Sequence, residues 1–196
     1  PLLPENGQFS VQWMNDASHL SGLPVSDWLM VGGLRDESFD VKDEPAFYSS
    51  CYRDAWQAAH NGSLSGYDEE ACIRAAEERC RYCPGSIRRL YLEDKFAGLV
   101  DCDVQRGAHA GYGWISLLYL TEEFRGKGYG IQLLARAIVL YKRLGRKTIR
   151  LHVAAENKQA LKFYKKQGFH LLQTEPTASD ALLLMEKPLG DNSHVL

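Results

Sequence analysis

The sequence contains no apolar run of about 18 residues, the length a membrane-crossing helix needs. Its longest apolar patches, such as Trp114 to Leu120, are strand-sized. It lacks a basic leader followed by a long apolar stretch, since it starts Pro1-Leu2-Leu3-Pro4. It also lacks an excess of positive charge. With 23 Lys+Arg against 25 Asp+Glu the net charge is −2, so no global field holds a nucleic-acid backbone. Membrane and nucleic acid are therefore set aside as partners. The cysteines number five, an odd count with no secretory signal, and read as free thiols in the reducing cytosol. The initiator Met is missing too, which fits a fragment cut from a longer protein. What is present is ordinary globular composition: 196 residues, 45% hydrophobic and 24% charged. This excludes a disordered tail, a collagen-like fibre and a coiled coil. A chain of this length buries roughly 70% of its unfolded surface without disulfide staples.

Residues 1–43 read as an irregular N-terminal arm or linker, punctuated by Ser21-Gly22-Leu23-Pro24 and Val31-Gly32-Gly33. Trp13, Met14, Trp28, Leu29 and Met30 are its apolar anchors. The folded domain is expected over 44–196. Phe47, Cys51, Ala55 and Ala58 fall at helical spacing from about Glu44 to His60, where Asn61-Gly62 stops the helix. Asp68 caps a second helix carrying Ala71, Cys72, Ala75, Ala76 and Cys80 on one face. The period then changes. Ile87 to Glu93 and Lys95 to Gln105 read as strands joined by a tight turn. Asp101 and Asp103 alternate there with Val100, Cys102 and Val104, giving one polar and one apolar face. Trp114 to Leu120 reads as a central strand buried on both faces. A helix to about Leu144 follows, with Gln132, Arg136 and Arg143 as a polar stripe. Lys147 to Ala154 is a strand, Asn157 to Gln167 a helix, and Phe169 to Gln173 with Ala181 to Glu186 a closing strand pair. Hairpin strands followed by a strand–helix–strand crossover make a mixed sheet in an α/β (α+β) domain.

The informative segment is Arg125-Gly126-Lys127-Gly128-Tyr129-Gly130, between a strand and a helix. Such a turn aims several backbone N–H groups at one point, and the helix start adds about half a positive charge. Together they form a phosphate site. Walker A spacing is absent, because no Ser or Thr follows a Gly-Lys pair. The dinucleotide fingerprint G-x-G-x-x-G is absent too, since the glycines read G-x-G-x-G. By itself the loop also reads as a tight connection with no ligand.

The loop nevertheless matches every fixed position of [RQ]-x-x-G-x-[GA], and so resembles the acetyl-CoA motif of the GNAT superfamily of N-acetyltransferases. A second block, Asn157-Lys158-Gln159-Ala160-Leu161-Lys162-Phe163-Tyr164-Lys165-Lys166-Gln167-Gly168-Phe169, resembles that family's later helix. The gap between the blocks fits one helix plus one strand. Glu122 stands where many members have Pro. The resemblance covers Leu118 to Phe169 in detail, and by element order roughly Phe47 to Leu189. It implies a mixed, mostly antiparallel sheet flanked by helices, with a V-shaped splay between the two central strands.

The resemblance implies an acetyl-CoA-dependent N-acetyltransferase, with acetyl-CoA as cosubstrate and no metal. The backbone N–H groups of Arg125, Gly126, Lys127, Gly128, Tyr129 and Gly130 would cradle the CoA pyrophosphate. Leu118 and Leu120 would offer backbone groups to pantetheine, as a strand edge does to an added strand. Asn157 would hydrogen-bond the pantetheine arm; it also reads as a helix N-cap. Tyr164 would donate to the departing thiolate; it also reads as a core tyrosine. Phe163 reads as packing. The acceptor would be a primary amine of a small molecule or peptide. An attacking amine must be neutral, which at pH 7 costs about 4.6 kcal/mol for a lysine side chain and about 1.4 for an α-amine. Candidate bases are Asp101, Asp103, Glu122, Glu123 and His109, or a water chain. Two aspartates on one strand face would favour a cationic amine.

A non-catalytic acyl-CoA-binding module shares the Gly loop but has no need of Tyr164. Cys80-Arg81-Tyr82-Cys83 closes a helix, unlike a redox C-x-x-C, and reads as structural. His152 reads as a surface or core histidine. Lys142, Arg143, Arg146, Lys147 and Arg150 read as a solvated basic face, with contact to the CoA 3′-phosphate as the minor reading. Trp13 to Leu20 resembles the linking segment of bacterial proteins that fuse a histidine phosphatase to an acetyltransferase. This implies a covalent fusion to another domain N-terminal of this chain; no Arg-His-Gly phosphatase motif is present. The assembly is expected to be a monomer or a homodimer.

Overall fold

The computed structural model of the chain describes residues 34–176 and 181–190. The apolar anchors and the linker-like segment of the arm lie outside the described residues.

Capping and periodicity set the helices. Helix α1 spans Pro45–Ala59 and α2 spans Glu69–Tyr82. Asp68 caps α2 as its sequence predicts: its Oδ1 accepts from the Ala71 N–H at 2.9 Å. Helix α3, Gly130–Arg143, buries Leu133, Leu134, Ala137, Ile138 and Tyr141 along one stripe. Each fully buried leucine there contributes about 1.5–3 kcal/mol. Helix α4, Lys158–Lys166, is short and turns Tyr164 inward. A 3-10 turn, Glu122–Phe124, precedes the Gly loop.

Seven strands form one sheet: β1 Leu34–Ser38, β2 Ile87–Leu92, β3 Lys95–Asp103, β4 Tyr112–Leu120, β5 Thr148–Ala154, β6 His170–Pro176 and β7 Ala181–Pro188. Their order is β1-β2-β3-β4-β5-β7-β6. Every neighbouring pair is antiparallel except β4 with β5. Helices α1 and α2 cover one face around Tyr48, Cys51, Ala76, Leu99 and Leu117. Helices α3 and α4 cover the other, around Val100, Ile115, Leu133, Leu151, Tyr164 and Met185.

Two readings of the sequence change here, and a third is filled in. Residues 34–38, assigned to the irregular arm, are β1, and Phe39 and Val41 join the core beneath α1. The strand is short and polar, so no alternation announced it. The polar stripe of α3 is largely covered. Gln132 is buried, and Arg136 lies 3.1 Å from Asp36, which Arg88 also engages at 2.6 Å. The basic cluster is only partly solvated. Arg146 donates to the carbonyls of Ala108 and Val104, and Arg150 pairs with Glu186 at 2.6 Å.

Candidate active site

The parallel strands β4 and β5 pair only at Tyr112–Thr148, Gly113–Ile149 and Trp114–Arg150. Beyond Trp114 they separate. A bulge contributes to this, because the β3–β4 register skips Ser116 between Ile115 and Leu117. The vertex of the V is fixed from the α3 side. The Tyr141 ring lies against Gly113, where a Cβ would stand 2.3 Å from it, and the Tyr141 hydroxyl donates to the Trp114 carbonyl at 2.5 Å.

Leu118 and Leu120 lie on the separated length of β4, with their side chains packed toward α3. The Leu120 carbonyl is already engaged, accepting from Arg125 Nε at 2.8 Å. Arg125 therefore reaches back along β4. Its guanidinium stands 4.0 Å from Asp54 of α1 and over the Tyr119 ring. The Tyr119 hydroxyl donates to the same Asp54 carboxylate at 2.8 Å. Lys127 is exposed at the loop tip.

The loop itself has the geometry of a cradle. Gly126 and Gly128 adopt φ of +73° and +89°, and a Cβ on either would meet nothing within 4 Å. Among the described residues, the N–H groups of Gly126, Lys127, Gly128, Tyr129 and Gly130 make no internal hydrogen bond, and no side chain caps α3. These consecutive amides at a helix start are the donors an anion requires. Gly130 has a separate reason: a Cβ there would stand 3.3 Å from the Phe163 ring, so α4 packs directly on the loop's end. Tyr129 is held edge-on to Phe124.

Phe163 packs in turn on Tyr164, which also meets Phe169. Tyr164 is 8% exposed and burial pushes its phenol well above the ordinary value, so it stays protonated at neutral pH. Among the described residues its hydroxyl has no hydrogen-bond partner, which leaves a donor available to a ligand. Asn157 is the N-cap of α4: its Oδ1 accepts from Ala160 N–H at 3.0 Å, leaving the amide nitrogen as a donor.

The candidate bases fare differently. Asp101 is not on a solvated face. It is fully buried, bonded through both oxygens to Arg79 at 2.8 and 2.5 Å, and accepts from Tyr48 at 2.6 Å. Its charge locks α1 and α2 to β3. Asp103 Oδ1 accepts the amides of Gln105 and Arg106 and shapes the β3–β4 turn. Glu122 and Glu123 sit exposed on the 3-10 turn, Glu123 beside Lys95, and His109 is exposed in the β3–β4 turn. The reading of two aspartates as an acceptor-binding face is therefore overturned. The strand alternation was real, but a guanidinium 22 residues away had claimed the first carboxylate.

His152, which reads as a surface or core histidine, is half-buried. It lies on β5 just past the last pair with β4, edge-on to Trp114 at 4.9 Å, with Nε2 3.3 Å from Glu175. It stands two residues beyond the Trp114–Arg150 pair, a place that only the register reveals. Cys80 and Cys83 are not a redox pair. Cys83 caps α2, and burial pushes the Cys80 thiol up to about 11. Among the described residues no helix is long and apolar enough to cross a membrane.

Residues 42–169 match the acetyltransferase (GNAT) family. The chain is similar to an uncharacterized N-acetyltransferase of Methanocaldococcus jannaschii, 42% identical over 81 residues, covering 40% of this chain and 36% of that protein. It is also similar to N-alpha-acetyltransferase 30 of Schizosaccharomyces pombe, 35% identical over 78 residues, covering 39% of this chain and 51% of that protein. The matched stretches thus span a third to a half of the curated relatives' length. Among solved structures, PaiA N-acetyltransferase of Thermoplasma acidophilum in complex with coenzyme A has the same fold. Its TM-score is 0.59 at 23% identity, covering 79% of this chain and 98% of that one. Ard1 of Thermoplasma volcanium aligns at TM-score 0.61 and 23% identity, covering 81% and 99% of the two chains.

Proposed function

The chain belongs to the acetyltransferase (GNAT) family, and from that premise we propose that it is an acetyl-CoA-dependent N-acetyltransferase acting on a primary amine of a small molecule or peptide. One observation carries the reading. A run of unpartnered amides at the start of α3 adjoins, through Phe163, a buried tyrosine whose hydroxyl is also unpartnered.

Acetyl-CoA supplies the activated acyl group, and the residues present fit it. The amides of Gly126–Gly130 and the positive end of α3 bind the pyrophosphate, with Lys127 adding charge. The open edge of β4 around Leu118 and the Asn157 amide nitrogen hold the pantetheine arm. Because its hydroxyl is protonated, Tyr164 donates to the thiolate as it leaves. On the opposite side of the sheet, His152 accepts a proton from the incoming amine. Five free cysteines support a reducing setting such as the cytosol.

The test is thiol release from acetyl-CoA in the presence of a panel of primary amines. Release that depends on an amine supports the reading. Tight CoA binding without release from any amine replaces it with an acyl-CoA-binding module.

A further inference from the structure

Cofactor-facing groups lie on the α3 and α4 side of the sheet. An amine must therefore come to the fork from the α1 and α2 side. That face of β4 and β5 carries Tyr112, Trp114, Arg150 and His152, and α1 and α2 cover only its β2–β4 part. Its carboxylates already have partners. Glu186 is held by Arg150 at 2.6 Å, and Glu175 lies 3.3 Å from His152 Nε2. Asp103 is bonded to backbone amides of the β3–β4 turn.

One cation there has no such counterpart. Arg106, at the β3–β4 turn, sets its guanidinium carbon over the Trp114 ring, 3.4 Å from the centroid, while Trp114 meets His152 edge-on. Among the described residues Arg106 is within ion-pair distance of no carboxylate, and it is exposed. Beneath the same turn, Arg146 spends its donors on the carbonyls of Val104 and Ala108, and so leaves its charge unmatched as well. Arg106 is therefore a cation beside the fork with no carboxylate of its own. A guanidinium stacked on a ring keeps its edge N–H groups free and pre-oriented, the arrangement that takes a carboxylate through two parallel bonds.

We propose that Arg106 selects the acceptor, binding a carboxylate carried close to the reactive amine, as in a free amino acid or an acidic peptide N-terminus. The inference rests on the acetyltransferase reading and replaces the expectation of a cationic amine, whose aspartates are engaged elsewhere.

Two matched series test it by thiol release. One pairs free amino acids with their carboxamides. The other pairs short peptides beginning Asp or Glu with peptides beginning Asn, Gln or Lys. The carboxylate members of one series are expected to exceed their partners by about tenfold or more in kcat/KM, and that series identifies the source. In Arg106→Gln the ratio falls toward unity with CoA affinity and thermal melting retained. Arg106→Lys restores part of it, as a single point charge does. A preference for neutral or lysine-bearing acceptors, or a carboxylate preference that survives in folded Arg106→Gln, overturns the assignment. Should the chain acetylate other primary amines and no member of either series, the assignment of Arg106 falls alone; should it bind CoA and acetylate no amine at all, the acetyltransferase reading falls first.

Discussion

Gly128→Val separates the cost of folding from the loss of the cofactor. At Gly128 φ is +89° and a Cβ would meet no atom within 4 Å, so valine clashes with nothing in the protein. Its folding cost is that of left-handed backbone, about 2 kcal/mol for a side chain of this kind. For a domain of this size that lowers Tm by roughly 4–8 °C. The effect on binding is larger. The side chain fills open space beside the unpartnered amides of Gly126–Gly130 and keeps a phosphate from them. Losing two charge-assisted N–H···O bonds, at about 1.5–3 kcal/mol each, weakens CoA binding by roughly 100-fold or more. Calorimetric titration with CoA, beside a thermal melt, reads both quantities. Gly130→Ala is the contrasting variant, because its Cβ would stand 3.3 Å from the Phe163 ring and perturbs packing first. A folded Gly128→Val chain that binds CoA as tightly as the parent refutes the phosphate cradle.

Tyr164→Phe keeps the ring contacts with Phe163 and Phe169 and removes a hydroxyl that has no internal bond. It should melt like the parent while kcat falls about 100-fold with KM for acetyl-CoA little changed; an unaltered kcat, with chemistry rate-limiting, makes Tyr164 a packing residue. Asp101→Asn leaves the Arg79 guanidinium, 11% exposed, without its counter-charge. It should lose about 3–5 kcal/mol in urea unfolding, and a variant as stable as the parent contradicts the buried clamp. At Glu186, burial pushes the carboxyl up, but hydrogen bonds from Arg150 and Thr148 and the charges of Arg150 and His170 outweigh it, holding the pKa below the ordinary 4.5. A depressed folded pKa stabilises above the unfolded value and is lost as pH falls through the folded one. Glu186→Gln should therefore melt lower at neutral pH, with the gap closing below about pH 4.5; a gap independent of pH rules this out.

What the sequence disclosed is what neighbours along the chain decide. The cap at Asp68, the spacing from Arg125 to Gly130 and the block from Asn157 to Phe169 are local, and the structure places them on the elements they announce. Asn157 is a cap whichever ligand it meets, so that both of its readings use the same side chain. What stayed hidden depends on partners far away. The alternation around Asp101 correctly marked a polar position, but burial with Arg79 and Tyr48 follows from helices packing across the strand. The strand Leu34–Ser38 is recognised only by its pairing with β2, and the meeting of Arg106, Trp114 and His152 only by the register of β4 with β5.

The fork between β4 and β5 has a consequence for the protein's survival as well as its chemistry. It is an edge strand in the middle of a sheet. Such edges template foreign strands, and proteins usually blunt them with charge, proline or a covering element. The apolar length from Leu117 to Leu120 carries no charge or proline of its own. An occupant of the fork guards that edge, and because it binds the folded chain alone it raises stability by mass action, about 2.7 kcal/mol at a concentration 100 times its Kd. Resistance to aggregation would then rise and fall with the acyl-CoA supply of the cell.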